Sequence, residues 1–170
     1  FRKITVAGAA GAAAGRLFRR RQSGNVIRKR SDRSGMGSKS MKKEERVLFY
    51  QFSDSSKLAA IREVLDRLQI RSQVLPEAAY QQKVGYLLGM KGFALVKGRE
   101  DDFSFPHEVM IFHNIKNRRL DAVLAAFRAA GIAPVRFKAV VTPFNMLWTL
   151  RRLCETMQKE HAAMVTGKDI

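Results

Sequence analysis

The sequence contains a single cysteine, Cys154. One thiol excludes an internal disulfide framework and any multi-cysteine zinc site, and it fits a reducing compartment, so a cytoplasmic location is expected. Apolar runs of bilayer length are also missing. The longest weakly apolar stretch, Ile4 to Gly15, is mostly alanine and glycine and falls short of the roughly 20 apolar residues a membrane helix requires, so no membrane partner is expected. No GxGxxG or Walker-type loop occurs, which leaves nucleotide binding through a glycine-rich phosphate cradle unsupported. No Gly-x-Ser-x-Gly elbow marks a catalytic serine. His107, His113 and His161 lie in different segments, and no pair has the i, i+4 spacing that sets two imidazoles on one helical face, so no metal is expected. No cofactor is implied, and a non-enzyme is expected.

Acidic residues are scarce at one end of the chain. Residues 1–40 carry eleven Lys/Arg against one acid, whereas residues 41–170 carry 21 against 14, within a formal charge of +17. The extreme basicity therefore belongs mostly to a leader, expected to be disordered, and only a moderate excess to the part that folds. The leader's Arg-rich character admits a transit peptide or a phosphate-binding tail centred on Arg28-Lys29-Arg30. A competing expectation is that Met36 or Met41 is the natural start, with the preceding residues upstream of it. Arg16, Arg19, Arg20 and Arg21 stand where a secretory cleavage site would be, which argues against secretion.

What remains reads as a single α/β domain over residues 45–163 with a frayed tail over 164–170. Arg46 to Phe52 is a β-branched and aromatic run ended by Ser53-Asp54-Ser55-Ser56, a strand followed by a helix cap. Leu58, Ile61, Val64, Leu65 and Leu68 then form one apolar helical stripe. Ser72 to Leu75 reads as a short strand stopped by Pro76, and Tyr80, Val84, Leu87 and Leu88 as a second, shorter helix ended by Gly89 and Gly92. Gly92 to Pro106 is an aperiodic loop. Glu108 to Ile115 is a third strand, and Leu120, Val123, Leu124, Phe127 and Ala130 mark a third helix closed by Gly131. Arg136 to Thr142 is a fourth strand, with Thr142 and Pro143 opening a last helix that frays after His161.

The first and third strands carry apolar residues on both faces, which makes them central, and the second and fourth suit edges. The expected fold is α/β: a four-stranded sheet with helices on both faces. A ferredoxin-like antiparallel sandwich with two added helices is favoured, and a small doubly wound parallel sheet is the alternative.

The segment Lys138, Ala139, Val140, Thr142, Pro143, Asn145, Trp148, followed by Lys159, Glu160 and His161, resembles a bacterial family catalogued as domain of unknown function 3783. Phe144 replaces the family's small polar residue and Val141 its leucine. The likeness extends upstream to cover about residues 46–164. It implies kinship of fold and carries no reaction, cofactor or partner.

Among local motifs, Gly89-Met90-Lys91-Gly92 has the outline of a KH-domain loop, but that loop must join two helices, and Phe93 to Asp102 is not helical in pattern. Cys154 shares an apolar stripe with Leu150 and Met157, as a packed thiol does. Glu100-Asp101-Asp102 reads as a solvated turn. Lys138, Thr142, Asn145 and Trp148 group where a strand ends and a helix begins, a place suited to an anionic ligand. Capping by Thr142 and Asn145 and core packing by Trp148 explain the same residues. The expected function is a non-enzymatic binding or regulatory module for a protein partner or a small anionic ligand at that junction. The alternative is RNA or DNA association through the leader and Arg118, Arg119, Arg151 and Arg152, with steep salt dependence. An enzyme using Lys138 with Asn145 or His161 would need those groups to converge.

Overall fold

A computed structural model describes residues 43–98 and 101–167, all within one compact unit, Ser40–Ile170. The expectations about residues 1–40, Met36 and Met41 lie outside the described residues. Four strands, β1 (Arg46–Tyr50), β2 (Arg71–Val74), β3 (Val109–His113) and β4 (Phe137–Val140), form one sheet in the order β2-β1-β3-β4. Four helices join them: α1 (Ser55–Arg67), the single turn α2 (Val84–Leu87), α3 (Asn117–Ala129) and α4 (Leu150–Thr166). The fold is α/β, with β1 and β3 central and β2 and β4 at the edges as their composition indicates.

Alternation in the central strands divides the core. Val47, Phe49, Met110 and Phe112 point to the face covered by α1 and α3, where they pack on Ile61, Leu65, Val123 and Phe127. Leu48, Tyr50, Val109 and Ile111 point to the opposite face, under Val84 of α2 and Leu150, Leu153 and Cys154 of α4. Both faces of β1 and β3 are thus buried, the arrangement their uninterrupted apolar runs require.

Strand direction matches neither expected sheet. β1 pairs parallel with β2, and β3 parallel with β4, while β1 and β3 run antiparallel. The favoured antiparallel sandwich and the doubly wound parallel sheet are both replaced by a mixed sheet of two βαβ units placed back to back. The reason is local: each 13-residue helix, α1 and α3, returns the chain beside the strand it left, which is the crossover a parallel neighbour needs. The segment from Leu75 to Glu108 then reverses direction and brings β3 antiparallel to β1.

The two halves are built alike. After β1, Gln51 takes φ 59°, and after β3, Asn114 takes φ 58°. Each helix ends in a left-handed residue, Gln69 (φ 58°) or Gly131 (φ 70°). The following amide, of Ile70 or Ile132, donates to the carbonyl of Leu65 or Phe127 at 2.9 and 3.0 Å, a Schellman closure in both cases. Leu75 N–H donates to Phe49 at 2.8 Å and Val141 N–H to Phe112 at 2.8 Å. Across the seam, Val84 N–H donates to the Trp148 carbonyl and Leu150 N–H to the Gln82 carbonyl, both at 2.9 Å. A pseudo-two-fold axis passes through the paired residues Leu48 and Ile111. It relates β1-α1-β2-α2 to β3-α3-β4-α4.

Those seam bonds explain where helix starts depart from expectation. Lys83 and Thr149 are extended and bridge each other. The expected second helix is therefore broken into a 3-10 turn, Glu77–Gln81, and α2. The last helix starts at Leu150, capped by the Thr149 hydroxyl, which accepts from Arg152 N–H, instead of at Thr142 and Pro143. Its other end also differs: α4 runs past His161 and residue 164 to Thr166, because Ala162, Ala163 and Met164 are strong helix formers. β1, β3 and β4 are shorter than expected, β1 and β3 being cut by the left-handed Gln51 and Asn114, and β2 is shifted by one residue.

The halves diverge in two places. Between α2 and β3 the described residues form no further helix, so no KH-type pair surrounds Gly89 and Gly92. Instead Phe93 packs so closely on Gly85 that a Cβ there would lie 2.4 Å from its ring, and the Gln82 side chain clamps the Val96 backbone with bonds of 2.8 and 2.9 Å. In the second half, residues 133–136 are interposed between Ile132 and β4, whereas Ile70 leads straight into β2.

A left-handed conformation costs a side-chain-bearing residue about 1–2 kcal/mol relative to glycine. Gln69→Gly is expected to raise the unfolding free energy by about 1 kcal/mol and Gly131→Gln to lower it by a similar amount, read from urea midpoints at constant slope.

Candidate functional site

The residues singled out from sequence do not gather into one site. Within β4, Phe137 and Ala139 face the α4 side and join its core, so alternation sends Lys138 to the α1/α3 side. There its ammonium donates to the Val135 carbonyl, and desolvation lowers its pKa. Trp148 packs against the α4-side cluster, with the Arg152 guanidinium stacked over its ring at 4.6 Å. Lys138 therefore stands across the sheet from Trp148, and the expected four-residue junction is divided.

Thr142 and Asn145 do meet, and they satisfy each other. Thr142 N–H donates to Asn145 Oδ1 at 2.7 Å, Asn145 N–H donates to Thr142 Oγ1 at 3.1 Å, and Asn145 Nδ2 donates to the Val140 carbonyl at 2.9 Å. This reciprocal brace closes the turn between β4 and the 3-10 helix Asn145–Leu147. It leaves Phe144 78% and Leu147 57% exposed, two large apolar side chains on a turn whose backbone is pinned. Phe144 is also where the chain departs from the resembled family's small polar residue.

The arginines proposed for nucleic-acid contact are dispersed in role. Arg119 is half-buried, donating to the Leu68 carbonyl at 2.6 Å and pairing with Glu45 at 3.3 Å. Arg151 bridges Asp101 at 2.6 Å and Glu155 at 3.0 Å and lies over the Phe103 ring at 4.9 Å. Its hydrogen bond to Glu155 is the main cause of its raised pKa. Arg152 is committed to Trp148, and Arg118 is exposed near the start of α3. Tyr80, Gln81, Lys97, Asp101 and Arg151 border a cleft of 280 Å³ on this side.

Catalytic and metal chemistry find few assembled groups. Cys154 is fully buried in the α4-side core, and burial pushes its thiol up to about 12. No group of three or more metal-ligating side chains occurs among the described residues. His107 and His161 flank the Phe137 ring, at 5.2 and 5.6 Å between centroids, a juxtaposition that spacing along the chain did not reveal. His161 therefore lies on the α4 side, across the sheet from Lys138. His113, paired with Arg46 across the central strands, holds its Nδ1 buried without a hydrogen-bond partner among the described residues. Desolvation, reinforced by Arg46 and Lys43, lowers its pKa.

Two outcomes follow. Cys154 should resist alkylation in the native protein near pH 8 and react on unfolding, as a buried, protonated thiol does, with labelling followed by mass. For His113 the unfolded chain binds the proton more tightly, so stability is complete above the unfolded value of 6.5 and is lost as pH falls through it. His113→Asn should flatten the fall in urea midpoint between about pH 7 and about pH 5.

Comparison with known proteins gives one match, to the family described as Domain of unknown function (DUF3783), over residues 108–164. The match is narrower than the likeness over 46–164 and begins one residue before β3, so it coincides with the second of the two related halves. No curated protein and no solved structure matched the chain. Residues 108–164 are thus similar to the family that the Lys138-to-His161 motif resembles, the Domain of unknown function (DUF3783).

Proposed function

We propose that the chain is a non-enzymatic binding or regulatory module that engages a protein partner through the turn spanning residues 142–148. One observation carries the reading: Phe144 and Leu147, three residues apart, are both exposed on a turn held by the Thr142 and Asn145 brace. Burying each against a partner would contribute roughly 1.5–3 kcal/mol. The pinned backbone limits the ordering entropy lost on association.

A small anion at the same junction has less support, because the polar groups of Thr142 and Asn145 are spent on each other and on Val140. RNA or DNA association is also less supported within the described residues, since Arg119 and Arg151 are already held in ion pairs. A cytoplasmic setting belongs to the same reading and rests on the lone buried thiol. No helix among the described residues is long and apolar enough to cross a membrane.

The reading is tested by selecting displayed peptides on the full chain and on a Phe144→Ser, Leu147→Ser variant of unchanged thermal midpoint. Peptides enriched by the parent chain should bind the variant at least about tenfold more weakly, the loss expected from uncovering two such anchors. Equal binding to both would overturn the assignment to this turn. Binding of duplex or single-stranded nucleic acid by residues 41–170 with a clear salt slope would favour the alternative.

A further inference from the structure

On the face covered by α1 and α3, a crevice of 140 Å³ opens beside β4. Its walls include Ile61, Met110, Phe127 and Val135, all buried, and its exposed rim carries Arg128 and Lys138. The size is close to that of a roughly 150 Å³ apolar protein cavity that accepts benzene. The crevice also falls where the two halves of the molecule differ. Ala133, Pro134 and Val135, three of the four residues interposed before β4, line it, and the turn from Ile70 to β2 has no such residues.

The two rim cations lack the carboxylate partners that the part-buried Lys57 and Arg119 have. Lys57 meets Glu108 at 2.5 Å and Arg119 meets Glu45, but neither Arg128 nor Lys138 forms an ion pair among the described residues. Lys138 turns its ammonium onto the Val135 carbonyl instead. Arg128 is in the last turn of α3, where the helix end presents about half a negative charge. Two full positive charges outweigh that, so the mouth is net positive above an apolar floor.

We propose that this crevice binds a small amphipathic monocarboxylate, its six-carbon ring or chain between Phe127 and Met110 and its carboxylate between Arg128 and Lys138. The site is independent of the Phe144 and Leu147 turn. Charge-assisted bonds to the carboxylate replace the single contact Lys138 makes with a neutral carbonyl, and the bound anion favours the charged ammonium that desolvation disfavours.

The full chain, labelled with nitrogen-15, is titrated with benzoate, with benzyl alcohol as the neutral isostere and with inorganic phosphate as charge alone. Benzoate should give saturable amide shifts centred on residues 132–138, and benzyl alcohol should bind the same residues at least about tenfold more weakly. Phosphate should not saturate. The Arg128→Gln, Lys138→Gln variant, altered only at exposed positions, should lose the preference for benzoate and keep the binding of benzyl alcohol. No saturable shift with benzoate, equal affinity for the alcohol, saturation by phosphate, or shifts that the variant leaves unchanged would each overturn the proposal.

Discussion

The antiparallel pairing of β1 with β3 is the constraint on which the rest of the architecture depends. It is the one place where the two βαβ units meet within the sheet, and its central pair, Leu48 with Ile111, is fully buried. Because both strands are covered on both faces, the seam fixes the position of α1 and α3 on one side and of α2 and α4 on the other. The reciprocal bonds from Val84 to Trp148 and from Leu150 to Gln82 repeat the pairing at the level of the helix starts. They hold Lys83 and Thr149 extended, and they thereby decide that the residues before α4 form a braced turn instead of a first helical turn.

Legibility in the sequence follows the range of the interaction responsible. The stripes of α1 and α3, the Asp54 cap and the Gly131 closure depend on neighbours within a turn or two, and each is visible as spacing or residue type. The centrality of β1 and β3 is visible too, because burial on both faces leaves no room for alternation. Strand direction is not visible, since the same order of strands and helices is compatible with several sheets until the long excursion from Leu75 to Glu108 is traced. The start of α4 is hidden for a related reason: Thr142-Pro143 is a sound local beginning for a helix, and only a backbone bond to Gln82, far off in the chain, moves the start to Leu150.

The candidate residues divide for reasons that are themselves local. Thr142 and Asn145 are three residues apart, the spacing at which each side chain reaches the other's amide, so their closeness signals mutual satisfaction as well as availability. Strand alternation already separates Lys138 from Phe137 and Ala139, and hence from Trp148. The internal relation of the halves is not visible in the sequence because equivalent positions share a conformation and not an identity: Gln51 with Asn114, Gln69 with Gly131, Lys83 with Thr149. Its one sequence trace is that β1 and β3 are each followed, after a short polar turn, by an apolar helical stripe and a shorter strand. The crevice beside Lys138 arises where this correspondence fails, and no local pattern announces it.

The match to a family over residues 108–164 gives the pseudo-two-fold seam a further meaning. A chain consisting of that segment alone would carry β3 with an uncovered edge and an apolar face awaiting an equivalent strand, and its folded state would depend on finding a second molecule. Here both partners of the seam belong to one polypeptide. Their encounter is intramolecular, their ratio is fixed at one to one, and each is free to change without destroying a symmetric assembly. Dilution therefore has no hold on this pairing, and a surface feature acquired by one half, such as the residues between Ile132 and β4, occurs once per molecule.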